Sequence, residues 1–298
     1  MAAVTGQHPK ADLREPAGWR RTKNRIATAL MVLSFIVVII PLGFVLYTVI
    51  GKGASIISWS FLTSSIPPAV LPANFGGIGP AVLGTLLITA LATVIAVPLG
   101  ILGAIYLNEY GGKGLLGRFI GFMSDVMTGV PSIIMGLFIF SIWVLHFGYS
   151  GLAGAFALGC LMLPVVIRST YEMLRLVPDS LREGAYAVGA TKARVTVTVV
   201  LPAALGGIVS GALLAVARAA GETAPLLFTI LGGVSTVNPN VFSGANTALP
   251  LQIFSNASQP YTGAQARGWG AALTLIAIAF ILMIVARLVT ARFSRYAR

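Results

Sequence analysis

Six stretches of between 16 and 30 residues run through this chain with almost no charge, and they leave it few ways to fold. They occupy 26–50, 80–107, 119–145, 152–167, 201–230 and 269–289, and within them the only ionisable acids and bases are Asp125, Arg218, Glu222 and Arg287. About 20 apolar residues in a helix cross the hydrocarbon core of a bilayer, where each backbone N–H and C=O must be satisfied inside its own element. Overall, 57% of the residues are hydrophobic and 9% charged, against about a quarter charged in soluble domains. The expected class is an all-α, polytopic membrane protein with six transmembrane helices. Pro41, Pro98, Pro131, Pro164 and Pro225 fall within the stretches, so bent helices are expected.

Short cytoplasmic loops retain Lys and Arg, which orients the chain. With the N-terminus inside, the tail 1–25 holds Lys10, Arg14, Arg20, Arg21, Lys23 and Arg25, and the first inner loop holds Lys113 and Arg118. The second inner loop, 168–200, holds Arg168, Arg175, Arg182, Lys192 and Arg194, and the C-terminal end holds Arg287, Arg292, Arg295 and Arg298. That places 17 of the 20 basic residues inside, so both termini are expected in the cytoplasm. A basic tail 1–25 is followed by a single transmembrane domain, 26–298. No small-residue cleavage pattern follows the first apolar run, so the tail does not read as a signal peptide. The net charge of +12 follows from topology and calls for no nucleic-acid partner. Cys160 has no second cysteine to pair with, and no cofactor or metal set is visible.

The outer segments 51–79 and 231–268 contain no Asp or Glu. They would not repel an anion, although uncharged polar loops are also common by composition alone.

The second inner loop is longer than a turn between helices requires. Pro178, Asp179 and Ser180 mark a helix start, and Ser180 with Glu183 fits a capping box. Leu181, Ala185 and Val188 recur as a short apolar face. Gly189 suits a left-handed helix end, and Thr191 the cap of a second helix. Glu183 either completes the cap or serves a partner. The spacing E-x-A-x3-G-x9-V-x-L-P, carried by Glu183, Ala185, Gly189, Val199, Leu201 and Pro202, resembles the EAA loop of ABC importer permeases, with Gly184 and Val199 as mild departures. In that family the loop is a coupling helix seated in a cleft of the ATPase, a role the resemblance assigns here to Glu183, Ala185 and Gly189.

An ionisable residue inside a span costs about 2.5 kcal/mol or more and points to function. Arg218 lies 16 residues past Pro202, roughly 24 Å along a helix, near or beyond the bilayer middle. Glu222 follows at i+4, where the two can pair. The pair either neutralises itself within the bundle or serves a substrate: Arg218 offers a planar fork of donors to a tetrahedral oxyanion, and Glu222 an acceptor for a substrate that carries a proton.

The words GVPSIIMGLF, AIYLNEY, LMLPVVIRSTYEMLRLVPDSLREGAYAVGAT and GALLAVARAAGETAPLLFT together resemble the phosphate ABC importer permeases of the PstA type, from about Gly76 to the C-terminus. The resemblance implies the type I ABC importer permease fold and residence in the cytoplasmic membrane of a bacterium. It also implies a homologous permease of the PstC type, an ATPase dimer of the PstB type and an extracytoplasmic phosphate-binding protein of the PstS type as partners. It places Arg168 with Arg218 and Glu222 on the substrate pathway, where Arg168 would help phosphate leave unless it simply snorkels. Sulfate or molybdate remains an alternative substrate.

The chain has no GxxxxGK[ST] segment, so ATP hydrolysis is expected from a separate chain. It also lacks HExxH, GxSxG and any carboxylate or histidine cluster, which argues against a membrane-embedded enzyme. Two similar halves with interrupted helices, common in secondary transporters, are not evident; a stand-alone channel or secondary transporter would leave the EAA loop without purpose.

Overall fold

The computed structural model describes residues 18–111 and 114–294. Lys10, Arg14, Lys113, Arg295 and Arg298 therefore lie outside the described residues, as does most of the tail. The chain separates into two bodies, Met1–Thr48 and Val49–Arg298. The first carries most of α1 (Gly18–Gly53), a 36-residue helix with Pro41 inside it and apolar on all sides beyond Arg25.

The second body is a helical bundle whose long members are α3 (Gly79–Ile105), α7 (Gly151–Arg175), α10 (Leu201–Ala220) and α13 (Thr262–Ser294). Among the described residues five helices are long and apolar enough to cross a membrane, and a sixth crossing follows if α4 (Leu115–Gly129) and the helical stretch Ser132–Phe147 count as one. That stretch comprises α5 (Ser132–Ile139), a π-helical turn and α6 (Leu145–Phe147). It meets α4 at 109°. The bend expected at Pro131 is thus a complete break: Val130, immediately before the proline, is extended (φ −76°, ψ 129°), because the proline ring excludes the helical region for its predecessor.

Small residues bring α3 and α7 together. Ala92 and Ala96 of α3 pack with Ala155, Leu158 and Met162 of α7 in a core completed by Val216, Leu226 and Leu251. A Cβ on Gly100 would lie 2.7 Å from Val166, so glycine is what lets the two helices approach this closely.

Two expected boundaries move. The fourth span, read as 152–167, runs as α7 to Arg175, and Ser150 caps its start by accepting from the Ala153 N–H at 3.1 Å. The fifth, read as 201–230, begins earlier and ends earlier. It is continuous from α9 (Lys192–Val195) through a π-helical turn, Thr196–Val200, into α10, and stops at Ala220. Pro225, near the start of α11 (Ala224–Thr229), cannot donate to the Gly221 carbonyl as an unbroken helix would require. The inner loop expected at 168–200 therefore shrinks to 176–191.

At the end of the bundle remote from residues 176–191, α2 (Trp59–Thr63) and α12 (Leu249–Ala257) pack as a layer on the first turns of α3 and α13, with Phe61 and Leu249 buried against Ile78, Ala81 and Ala271. Arg267, which falls within the outer segment expected at 231–268, lies in α13 with 2% exposure. Its guanidinium donates to the carbonyls of Pro68, Ala69, Leu71 and Pro72 at 2.8–3.2 Å.

Candidate functional site

Two regions carry the sequence-predicted residues: the α10–α11 break, and the loop between α7 and α9 with the helix ends it touches.

Arg218 occupies the last turn of α10, where free carbonyls favour a cation, and its side chain is 73% exposed. The chain then tightens, with Gly221 N donating to Arg218 O and Glu222 N to Ala219 O. This turn carries Glu222 past the helix end yet leaves its Oε1 3.7 Å from Arg218 Nε. The expected pairing is present, but across a helix terminus instead of along one helix. Glu222 is 22% exposed. Among the described residues the Arg218 guanidinium makes this long ion pair and no hydrogen bond, which leaves its donor fork open to a tetrahedral oxyanion.

Arg168 is not brought to that pair. On α7 it donates to Asp125 of α4 at 3.0 Å and lies 3.7 Å from Glu172. Cβ atoms on Gly207 and Gly211 would meet Met173 and Ser169 respectively, which fixes α10 antiparallel to α7. In that register Arg218 stands roughly 9 Å farther along the helix axes than Arg168. The two arginines occupy separate levels. A cavity of about 210 Å³ beside Arg168 is lined also by Arg118, Ser124, Asp125 and Tyr171. Asp125, given no role from sequence, is the residue that orients Arg168.

The loop residues form a second site. α8 (Asp179–Ala187) starts from Pro178, and no side chain caps it. The expected Ser180–Glu183 capping box is therefore absent. Pro178 sets the helix start two residues ahead of the position Ser180 would need, so Ser180 sits inside the first turn and the Glu183 carboxylate projects outward, exposed. Gly189 behaves as expected, with φ +81°. Its N–H donates to Tyr186 O and that of Ala190 to Ala185 O, the paired bonds of a Schellman ending. Thr191 does occupy the cap position of α9, although its hydroxyl caps nothing.

The apolar face read from Leu181, Ala185 and Val188 is corrected. Only Ala185 packs inward, while Leu181 is 47% and Val188 84% exposed. The inward face carries Arg182 instead, with its side chain 14% exposed. Its guanidinium donates to Glu109 at 3.2 Å, to Asp179 at 3.0 Å, and to the carbonyls of Leu174 and Val177. Burying a guanidinium requires such saturation, and it outweighs the burial of Leu181 or Val188 in setting the rotation of α8. Sequence reasoning counted Arg182 only as a topological charge and passed over Glu109; the one signal was a lone carboxylate ending the long apolar run of α3.

Residues 96–295 match the family model described as a binding-protein-dependent transport system inner membrane component. The phosphate transport system permease protein PstA 1 of Mycobacterium tuberculosis is 45% identical over 273 residues, covering 91% of this chain and 88% of that protein. PstA of Yersinia pestis is 41% identical over 280 residues, 94% of each chain. The likeness thus reaches beyond the portion from Gly76 onward. Among solved structures, a bacterial ABC transporter involved in import of the acidic polysaccharide alginate aligns at TM-score 0.61 with 15% identity, over 92% of this chain and 98% of that one. An inward-facing MetNI methionine ABC transporter aligns at 0.55 with 19% identity, over 73% and 94%; both speak for the fold alone. The chain belongs to the PstA family of binding-protein-dependent transport permeases, multi-pass inner-membrane proteins with the type I ABC importer permease fold.

Proposed function

We propose that this chain is a permease subunit of an ATP-driven importer that carries inorganic phosphate inward across the cytoplasmic membrane, with both termini in the cytoplasm. The observation that carries the reading is the Arg218 guanidinium, exposed in the last turn of α10 with, among the described residues, only the Glu222 carboxylate beside it at 3.7 Å. A charge so placed on an apolar helix belongs on a polar path or against another protein. Its fork fits a phosphate oxygen pair, while Glu222 can accept from the P–OH of hydrogen phosphate. Arg168, on a separate level of the same helix pair and held by Asp125, is the second basic station on the way in. The PstA relatives, named for phosphate transport, support this substrate over sulfate or molybdate.

Three protein partners complete the assembly in this reading: a homologous permease of the PstC type, an ATPase dimer of the PstB type, and, outside, a phosphate-binding protein of the PstS type that delivers the substrate. Surrounding lipid covers the apolar helices, and nucleic acid has no part. The chain itself hydrolyses nothing. ATPase docking falls to α8, whose outward side presents Glu183 and ends at Gly189 while Ala185 anchors the helix from within.

The test is uptake of labelled phosphate and labelled sulfate by phosphate-starved cells in which this chain provides the only phosphate permease of its type. Phosphate uptake that depends on the chain supports the reading; sulfate uptake in its place overturns the substrate.

A further inference from the structure

The loop that carries α8 grips one short element from two sides. α3 runs on, past Ile105, into a π-helical turn, Tyr106–Tyr110. From α8, Arg182 reaches Glu109, whose side chain is 6% exposed and also accepts from Asn108 at 2.8 Å. From the start of α9, Lys192 Nζ stands 5.0 Å from the centre of the Tyr110 ring. Arg182 also holds the carbonyls of Leu174 and Val177 at the end of α7, so one guanidinium ties together α8, the foot of α7 and the foot of α3. Beyond the turn, Gly111 leads into α4. A Cβ on Gly117 of α4 would collide with the Gly111 carbonyl, so the turn and α4 are packed backbone to backbone.

We propose that the π-helical turn Tyr106–Tyr110 is the receiving element through which movement of the loop reaches the transmembrane helices, with Arg182 and Glu109 as the positioning residues that carry the load and Lys192 on Tyr110 as a lighter second grip. This rests on the reading of α8 as the ATPase-docking helix. The turn suits the task. A π-helical segment holds one residue more per turn than its α-helical neighbours, at the expense of weaker packing along its axis, so it can change register where a regular α-helix would resist. The grip on it is charge-assisted and buried, and it therefore pulls as well as pushes.

The experiment uses the whole importer, isolated through a tag on this chain and reconstituted in vesicles with its binding protein, labelled phosphate outside and ATP at the ATPase side. The readout is phosphate moved per ATP hydrolysed, beside copurification of the ATPase and cross-linking of Val188→Cys to it. Glu109→Gln keeps the size and one acceptor but removes the charge. The ATPase should still copurify and cross-link, ATP should still be hydrolysed, and the ratio should fall about tenfold, the value of a charge-assisted bond. Tyr110→Leu, which unpairs no buried charge, should lower the ratio about threefold, and Tyr110→Phe, which keeps the ring, should leave it unchanged. An unchanged ratio in both Glu109→Gln and Tyr110→Leu with the cross-link intact overturns the inference alone. No cross-link from Val188→Cys in the otherwise unaltered chain overturns the docking reading with it. Should Glu109→Gln not assemble, the Leu and Phe variants of Tyr110 decide: equal ratios in the two overturn the proposal.

Discussion

Arg218 and Glu222 approach to 3.7 Å from opposite sides of a helix terminus, the arginine in the last turn of α10 and the glutamate in the tightened turn that follows. A pair on one continuous helix would move as a unit. Across a terminus the carboxylate belongs to a short connection into α11, and the distance between the two groups can change while each keeps its own backbone hydrogen bonds.

Arg218→Gln should assemble normally, because the side chain is 73% exposed and, among the described residues, forms no hydrogen bond whose loss would strand a partner. Phosphate uptake by starved cells should fall at least about tenfold, the worth of one charge-assisted hydrogen bond to the anion. Arg218→Lys should restore only part of it, since an ammonium retains the charge without the planar fork. Undiminished uptake in Arg218→Gln, with normal amounts of chain in the membrane, would make the pair structural.

Glu222→Gln tests selectivity. A carboxylate accepts from the proton of hydrogen phosphate and repels sulfate, which at neutral pH has no proton to give; an amide offers an N–H to either anion. The expected outcome is a variant whose phosphate uptake is inhibited by excess sulfate, where the parent's is not. Equal insensitivity of both proteins to sulfate would place discrimination elsewhere, for instance in the binding protein.

Those two residues were legible in the sequence because lipid makes charge conspicuous: a lone Arg and Glu in a 30-residue apolar run stand out without any structure. Helix number and class were legible for the same reason. Helix ends were not, because inside a membrane apolar residues are equally at home in a helix, a break or a re-entrant segment. Pro131 and Pro225 announced bends but not whether each would kink a helix or end it. Arg182 and Glu109 were missed for the opposite reason. At the end of a bundle charges are ordinary, and only the fold reveals that Glu109's side chain is 6% exposed and 73 residues away in sequence from the arginine it meets. The inward face of α8 followed that arginine and not the leucine–alanine–valine spacing.

Arg267→Met should destabilise the layer remote from α8. The side chain is buried and serves four carbonyls of the 68–72 segment. Each acceptor left unpaired costs about 1–3 kcal/mol, so with partial relaxation the total should reach at least about 3 kcal/mol. A melting curve of the detergent-purified permease should shift down by several degrees, and proteolysis should begin within 64–78. An unchanged melt would mean that water takes over the guanidinium's bonds at no cost.

Glu183→Lys and Gly189→Val separate the two duties of α8. Glu183 is exposed and accepts no hydrogen bond among the described residues, so reversing its charge should leave the helix folded while weakening copurification with the ATPase, increasingly so at low ionic strength, where surface charges are least screened. Gly189 acts through the backbone: at φ +81° a β-branched side chain is strained by about 1–3 kcal/mol, and the Schellman bonds from Gly189 and Ala190 should loosen, fraying α8 from its C-terminal end. Gly189→Asn, which tolerates the left-handed region, should recover most of the binding lost in the valine variant. If valine and asparagine impair ATPase binding equally, the glycine is needed for close approach of the partner and not for the turn. A Glu183→Lys importer that retains full ATP-driven uptake would remove Glu183 from the interface altogether.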